Sequence, residues 1–145
     1  MSAPKILVPV DGSPASLRAV DFAIKMAGQN PGTTLVLLHV SNIPAIDLAG
    51  VPEAMATDWV QEAASQASVQ ALKDATGKCE GGCVVFKTLT RTGQTAKAIA
   101  QVAQEEDVKH IVMGTRGLGG VQGLLLGLVA TQVIHLADVP ITLLK

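Results

Sequence analysis

The sequence predicts an α/β protein with an open five-stranded parallel sheet covered by helices on both faces. Short apolar runs without alternation recur along the chain and are separated by segments of helical periodicity. This order is typical of a doubly wound sheet, and right-handed crossovers favour the strand order 3-2-1-4-5. The length of 145 residues and the apolar fraction of 48% predict one domain, over residues 1–145, with a sizeable core.

The first strand and helix are separated by a turn at residues 11–14. Residues 5–10 (KILVPV) are an apolar run of the kind expected for a strand buried on both faces. Ser13 is a predicted helix N-cap, and Pro14 suits the first helical position because it lacks an N–H group. The helix is predicted to end at Gly28. Its inner face should consist of Leu17, Val20, Ile24 and Ala27.

The second unit contains a long connection. Residues 34–40 (TLVLLHV) predict the second buried strand. Residues 42–57 are irregular, with Pro and Gly among small apolar residues, and predict a surface segment or lid. A helix should follow over residues 58–75, closed by Gly77. Its predicted inner face is Val60, Ala64, Ala67, Ala71 and Leu72.

The remaining elements complete the alternation. Residues 84–90 predict the third strand, 94–106 the third helix, 110–113 the fourth strand, 128–136 the fourth helix and 140–144 the fifth strand. The third helix should bury Ile99, Val102 and Ala103. Residues 117–137 carry no Asp, Glu, Lys or Arg, which is long enough for a membrane span. Glycines interrupt the apolar run, and a span would leave the preceding strand-helix units without a final strand. Both observations favour a buried loop followed by a helix.

The composition limits which partners and which cellular compartment we expect for this protein. The net charge of −1 and the pI near 6.3 give no reason to expect nucleic acid or an anionic membrane. Aromatic residues are scarce, with one Trp, two Phe and no Tyr, so stacking platforms for single strands are not expected. The N-terminus lacks the charged-then-apolar order of a signal peptide, and we therefore expect a cytoplasmic protein.

The cysteines and histidines predict no catalytic or metal centre. Cys79 and Cys83, in a Gly-rich stretch, are expected to be reduced turn or strand-edge residues, because their spacing fits neither a zinc site nor a redox turn. We expect His39 to be a core-edge residue, His110 a surface residue at a strand start and His135 a helix C-terminal residue. No histidine has a nearby Ser or Cys nucleophile together with a third orienting group, so a catalytic triad lacks support, and no Walker motif is present. An efficient enzyme is therefore not expected.

One candidate binding site lies where strands one and four end. In the expected order these strands are neighbours whose connections leave on opposite faces, and ligands bind in the resulting crevice. Asp11 follows strand one, and Gly114 to Gly117 follow strand four. A helix starting near Gly127 would offer free N–H groups and the positive end of its dipole to a phosphate. Asp11 could equally be a turn residue that binds its own backbone, and the glycines could serve close packing.

These residues resemble the universal stress protein family. The resemblance is carried by residues 8–13 (VPVDGS), 37–40 (LLHV) and 111–117 (IVMGTRG) followed by Gly127, and it extends from Lys5 to Leu144. In the nucleotide-binding branch the signature is G-x2-G-x9-G followed by Ser or Thr, and Gly114, Gly117 and Gly127 match its glycines. The resemblance implies a fold of the adenine nucleotide alpha hydrolase-like type.

The resemblance also implies roles at an ATP site, or at a site for a related adenine nucleotide with or without Mg²⁺. Asp11 and the backbone of Val40 would hold the adenine and ribose end, and Pro9 and Met113 would wall the base pocket. The phosphates would be bounded by Gly114, Arg116, Gly117 and Gly127 and by the backbone N–H groups of Leu128 and Val129. A carboxylate accepts well from a ribose hydroxyl, and helix N-terminal amides suit phosphate oxygens.

The chain departs from that signature, which keeps alternatives open. Leu128 stands where nucleotide binders have Ser or Thr, Ala130 where a second Ser is common, and residues 122–123 (QG) where a cation is expected. The leading hypothesis is an ATP-binding sensor or regulator of the stress response. The alternatives are an interaction module of the same fold without nucleotide, or a very slow ATPase. The apolar final strand should lie at the sheet edge and pair two chains into a homodimer, and the protein partner is unknown.

Overall fold

The computed structural model describes residues 3–41, 53–115 and 126–145, and at residues 53–61, 63 and 64 it describes the backbone alone. Strands and helices alternate throughout this part of the chain. They are β1 (Lys5–Pro9), α1 (Pro14–Gln29), β2 (Thr34–Ser41), α2 (Glu53–Gly81), β3 (Val85–Thr92), α3 (Thr95–Glu105), β4 (His110–Gly114), α4 (Leu128–Leu136) and β5 (Ile141–Leu144).

The strands form a single parallel sheet in the order β3-β2-β1-β4-β5, which confirms the predicted topology. Strand β1 lies in the centre, with Pro9 opposite Leu38 of β2 and Leu7 opposite Ile111 of β4. Strands β3 and β5 form the two edges. Strands β1 and β4 are neighbours although three helices and two further strands separate them along the chain. The order therefore reverses between them, and a crevice opens at their carboxyl ends.

The core has two halves, one on each face of the sheet. Alternate strand residues point to opposite faces, so Val8 and Leu37 lie on one side while Leu7 and Leu38 lie on the other. The first half also contains Val20, Ala23, Leu72, Ala75 and Cys79 from α1 and α2. The second half contains Ile99, Val102, Ala103, Ala130 and Val133 from α3 and α4. Helices α1 and α4 therefore flank the crevice from opposite faces.

Helix α1 begins as the sequence predicts. The Ser13 hydroxyl accepts a hydrogen bond from the Ser16 N–H group at 3.2 Å, and Pro14 occupies the first helical position. The cap satisfies one of the donors that a helix N-terminus leaves without an intrahelical partner. Val20 and Ala27 are buried and Leu17 and Ile24 half-buried. The helix continues one residue past Gly28, to Gln29.

Helix α2 differs from its prediction at both ends. It begins at Glu53, inside the stretch predicted to be irregular, and continues through Gly77 to Gly81. Gly77 meets no neighbour, so a glycine there is tolerated rather than required as a terminator, and the buried stripe continues to Cys79. The chain leaves the helix through Cys83, whose φ of 56° is left-handed. The remaining part of that stretch, residues 42–52, lies outside the described residues.

The inner face of α2 is also shifted from the predicted one. Ala71 and Leu72 are buried as predicted, whereas Ala67 is exposed. The side chains of Val60 and Ala64 lie outside the described residues. Cys79 is a buried residue of α2 rather than a turn residue, while Cys83 is exposed, and both thiols are free.

Helix α4 is short and belongs to the domain core. It spans the nine residues Leu128–Leu136 and buries Ala130 and Val133 against α3 and the sheet. In the ranges that the structure describes, no helix combines the length and apolarity that a membrane crossing requires. Residues 117–125 of the long uncharged stretch lie outside those ranges.

Candidate functional site

The turn after β1 places Asp11 at the mouth of the crevice. Its carboxylate oxygen Oδ1 accepts a hydrogen bond from the Ser13 N–H group at 2.9 Å, so the turn contact that the sequence left as an alternative is present. Gly12 adopts a φ of 83°, a left-handed conformation that favours glycine. A Cβ atom on Gly12 would lie 3.7 Å from the Ala71 Cα atom. Helix α2 therefore passes close to the Asp11 turn.

Gly114 ends β4 directly against the first turn of α1. A Cβ atom on Gly114 would lie 2.9 Å from the Ala15 Cβ atom and 3.1 Å from the Ala15 carbonyl carbon. Real Cβ atoms do not approach that closely, so the packing of α1 on β4 requires glycine here. The close packing that the sequence analysis kept as an alternative therefore accounts for this glycine whether or not a ligand binds.

Hydrogen bonds bring the start of α4 to the end of β4. The Gly127 N–H group donates to the Thr115 carbonyl oxygen at 2.6 Å, and the Thr115 N–H group donates to the Leu144 carbonyl oxygen at 2.7 Å. Thr115 is buried. Residues that are far apart in the sequence are thus held together at the carboxyl ends of β4 and β5.

The N-terminus of α4 has no side-chain cap. Gly127 is the N-cap residue, and the Thr131 hydroxyl donates back to the Gly127 carbonyl oxygen at 3.0 Å. Leu128 is 73% exposed, Val129 is half-buried, and Ala130 is buried in the core. The first turn of α4 therefore presents backbone donors and an apolar side chain, with no hydroxyl at 128 or 130.

The residues predicted to wall the base pocket share one side of the sheet. Met113 is buried in the core half formed with α3 and α4, and Val40 packs against the same half. Pro9, half-buried, follows Leu7 by two strand positions and so points to that side too. Arg116, Gly117 and residues 122–123 lie outside the described part of the chain.

A buried polar pair beside the crevice was missed by the sequence analysis. The His39 Nδ1 atom lies 2.9 Å from the Ser68 Oγ atom of α2, and both side chains are buried. His39 is the core-edge residue predicted, but a serine hydroxyl does lie beside its ring. Ser68 lies in the buried stripe of α2 with Ala71 and Ala75. A hydroxyl among these apolar residues was the sequence signal that a buried hydrogen bond partner was needed.

The pKa values of two histidines are lowered by burial. Burial lowers the pKa of His39, and the negative charge of Asp11 partly counteracts this. Burial also lowers the pKa of His110, whose Nε2 atom lies 2.7 Å from the Thr142 Oγ1 atom of β5. His110 is thus half-buried rather than a surface residue, because β5 covers it. His135 is exposed in the last turn of α4, as predicted.

The described side chains offer no metal centre. Within residues 3–41, 53–115 and 126–145, no group of three or more His, Cys, Asp or Glu residues is placed to hold a metal ion. The polar groups at the crevice are the Asp11 carboxylate, which accepts hydrogen bonds, and backbone N–H groups, which donate them. Such a set suits hydrogen bonding to hydroxyls and to an anion.

The strand order and the crevice define a doubly wound α/β protein of the kind that binds ligands at the carboxyl ends of its strands. A sequence profile of the universal stress protein family matches residues 3–145, and the chain belongs to this family. The universal stress protein YxiE of Bacillus subtilis is 30% identical over 147 residues, which cover 97% of this chain and 98% of that protein.

Solved structures agree on the fold. A universal stress protein in complex with cAMP superposes with a TM-score of 0.70 at 20% identity, covering 100% of this chain and 99% of that one. A universal stress protein family member from Arabidopsis thaliana with AMP bound superposes with a TM-score of 0.68 at 20% identity, covering 98% and 91%. At these identities the similarity establishes the architecture.

Proposed function

We propose that this universal stress protein binds an adenine nucleotide and acts as a regulator in the stress response. The observation that carries the proposal is that two segments distant in the sequence both lie at the carboxyl ends of neighbouring strands. The Asp11 turn follows β1, and the start of α4 is held to β4 through the Gly127–Thr115 hydrogen bond. A carboxylate and a helix N-terminus at one topological switch point suit a ribose and a phosphate.

Each element of the site has a proposed task. Asp11 accepts a hydrogen bond from a ribose hydroxyl, and Pro9, Met113 and the Val40 backbone bound the adenine. Gly114 and Gly127 bound the phosphate. The first N–H groups of α4, at Leu128 and Val129, face it and stabilise its charge through hydrogen bonds and the helix dipole. Arg116 and Gly117 are proposed to complete the phosphate end.

The ligand is proposed to be ATP or a related adenine nucleotide, with or without Mg²⁺. Solved relatives of the same fold contain AMP or cAMP. A nucleotide that binds one conformation of the crevice more tightly would increase the population of that conformation. A surface that a partner protein contacts would change with it. This is how binding would become regulation.

Calorimetric titration with AMP, cAMP, ADP and ATP tests the proposal. Asp11→Asn is the sharpest variant, because an amide oxygen can still accept from the Ser13 N–H group while the negative charge is lost. We expect it to weaken binding about fivefold or more, as loss of a charged hydrogen bond acceptor does. No heat with any of the four nucleotides at high micromolar concentration, from folded protein, would refute the proposal.

Leu128→Ser tests the phosphate end. The Leu128 side chain is exposed, so a hydroxyl can be introduced there without disturbing the core, whereas Ala130→Ser would bury one. We expect ATP to bind more tightly to Leu128→Ser, by about a factor of 2 to 10. Leu136→Ser, at the exposed opposite end of α4, is the matched control and should leave affinity unchanged.

An interaction module without nucleotide is the second candidate. Two observations favour it: Gly114 is required by packing against Ala15, and Leu128 offers an apolar group where a phosphate would lie. Binding that appears only in Leu128→Ser would support this candidate. A phosphate-release assay, with Asp11→Ala as control, separates either candidate from slow ATP hydrolysis.

We further propose that two chains pair through β5 into a homodimer. The Pro140 carbonyl oxygen accepts from Ile111 of β4, and the Leu144 carbonyl oxygen accepts from Thr115, which follows β4. The backbone groups of Ile141 and Leu143 therefore face away from the sheet. The strand is apolar apart from Thr142 and lies at an edge, an arrangement that invites pairing. Sedimentation velocity should show a dimer at micromolar concentration, and a monomer there would contradict the assembly.

A further inference from the structure

Helix α1 turns one flank toward the edge strand β5. Ala15, in the first turn of the helix, lies against Gly114 of β4, and the Arg18 Nε atom donates to the backbone oxygen of Lys145, which follows β5. Phe22 comes two helical turns after Ala15, and residues at this spacing share one side of a helix. Phe22 therefore lies on the flank of α1 that faces β4 and β5.

The opposite flank of α1 is covered by α2. A Cβ atom on Gly82 would lie 2.8 Å from the Ile24 Cγ2 atom, and Lys78 of α2 forms an ion pair with Asp21. On the other flank the described sheet ends with β5, and Phe22 is 37% exposed there. One of the two Phe residues of the chain is thus open to solvent beside the edge of the sheet.

Phe22 lies within the length of β5. Helix α1 begins at the carboxyl ends of the strands and continues toward their amino ends, so Phe22 is about 10 Å from Ala15 in that direction. This distance equals about three strand residues. Because Gly114, which Ala15 contacts, is paired with Leu144, Phe22 lies beside the first residues of β5.

Pairing of β5 with a second copy would leave a trough between the two α1 helices, with Thr142 and Leu144 of both copies as its floor. An antiparallel pair related by a twofold axis keeps both α1 helices on the same face of the joined sheet. Three strand spacings, about 14 Å, separate the two β4 strands over which these helices lie. Since packed helices are about 8–10 Å apart, the trough is one layer of side chains wide.

The floor of the trough follows from the alternation of β5. Leu144 packs in the core half that contains α1, whereas Ile141 and Leu143 pack in the other half. Strand residues two apart share a face of the sheet, so Thr142 lies on the α1 side with Leu144. The trough therefore has a partly apolar floor and an aromatic side chain on each wall.

We propose that the homodimer surface extends from β5 onto α1, and that Phe22 of each copy fills the trough. This rests on the proposed pairing through β5. A strand of four residues is only about 13 Å long, whereas a stable dimer buries about 800 Å² of each partner. The edge of β5 therefore needs apolar surface beside it, and Phe is among the side chains that bury the most area.

The charges on this flank are compatible with a second copy as the partner. Arg18 contacts Lys145 at the carboxyl end of β5, so antiparallel strands place the two guanidinium groups at opposite ends of the trough. Asp21 is paired with Lys78 on the α2 flank. A second copy offers the same strand edge and the same aromatic side chain, which is the self-complementarity that a twofold interface requires.

Sedimentation equilibrium of Phe22→Ser tests the proposal without any nucleotide. We expect the dissociation constant of the dimer to rise about tenfold or more, as loss of an aromatic anchor at an interface typically does. Val69→Ser, an exposed apolar position of α2, is the matched control and should leave the constant unchanged. A wild-type dimer whose constant is unchanged in Phe22→Ser overturns the inference and leaves pairing through β5 standing. A monomeric wild type at micromolar concentration refutes that pairing, and the inference with it.

Cross-linking gives a second readout that does not depend on the stability of Phe22→Ser. In a Cys83→Ser background, which removes the exposed native thiol, a short bismaleimide should join Phe22→Cys to its copy in the native dimer. Val69→Cys in the same background should remain unlinked at the same protein concentration. Equal cross-linking of the two variants, or none of Phe22→Cys in a dimeric sample, overturns the inference.

Discussion

Gly114 at the end of β4 lies so close to Ala15 of α1 that a Cβ atom would come within 2.9 Å of the Ala15 Cβ atom. The contact joins the first turn of α1 to the neighbouring strand rather than to its own. A glycine that matches the nucleotide-binding signature of the family is thus also a packing residue, and its replacement would change stability whether or not a ligand binds there.

Replacing this glycine should destabilise the protein. Gly114→Ala forces α1 and β4 apart, and we expect the free energy of unfolding to fall by about 1–3 kcal/mol, the usual cost of overpacking. Urea denaturation measures this. Gly28→Ala is the control: nothing lies near Gly28 in α1, and alanine is the better helix former by about 1 kcal/mol. Equal stabilities of Gly114→Ala and wild type would contradict the packing argument.

Removing the partner of the His39 ring should also be costly. Ser68→Ala leaves the Nδ1 atom of a buried ring without its hydrogen bond, which typically costs about 1–3 kcal/mol. Ser65→Ala, on the exposed side of the same helix, should leave the urea midpoint close to that of the wild type. A similarly small change in Ser68→Ala would show that the hydrogen bond contributes nothing measurable.

Stability should decrease on mild acidification because of the buried histidines. The pKa values of His39 and His110 are lowered in the folded state, so between the unfolded value near 6.5 and the lowered folded values the unfolded chain binds more protons. Stability is then lost as pH falls through that window. Urea midpoints from about pH 7.5 to about pH 5 measure it. His110→Asn should flatten the dependence, and an unchanged slope in His110→Asn would contradict this origin.

The ion pairs at Glu106 should give a second, more acidic transition. Lys87 of β3, and more weakly Lys5 of β1, lower the pKa of the Glu106 carboxyl. This contribution is present above the ordinary carboxyl range and is lost as pH falls through the lowered value. Because the lysines are partly exposed, Glu106→Gln should cost no more than about 1 kcal/mol at neutral pH. The loss should shrink in high salt, and an effect that salt leaves unchanged would exclude the ion pairs as its source.

The two cysteines should differ sharply in reactivity. Burial raises the pKa of the Cys79 thiol to about 11, so almost none of it is thiolate near neutral pH, whereas Cys83 is exposed. Iodoacetamide followed by peptide mapping should label Cys83 alone in the native protein and both thiols in urea. Native labelling of Cys79 at a similar rate would contradict its burial.

The sequence by itself determined the architecture, because local patterns carried it. Uninterrupted apolar runs marked strands buried on both faces, and Ser13 and Pro14 marked the start of α1. The handedness of the crossovers favoured the strand order that is observed. The positions of Asp11, Gly114 and Gly127 at the ends of elements were predicted for the same reason. Each residue lies where the pattern of a strand and the pattern of a helix or loop meet.

Only the tertiary structure decided which residues distant in the sequence are in contact, and which residue types those contacts require. Nothing near Gly77 in the sequence reveals that α2 continues to Gly81, and nothing near Ser68 reveals that its hydroxyl reaches His39, 29 positions away. Likewise, the closeness of Ala15 to Gly114 depends on how α1 packs across the strand next to its own. Contacts of this kind depend on the three-dimensional placement of whole elements, which periodicity along one segment does not record.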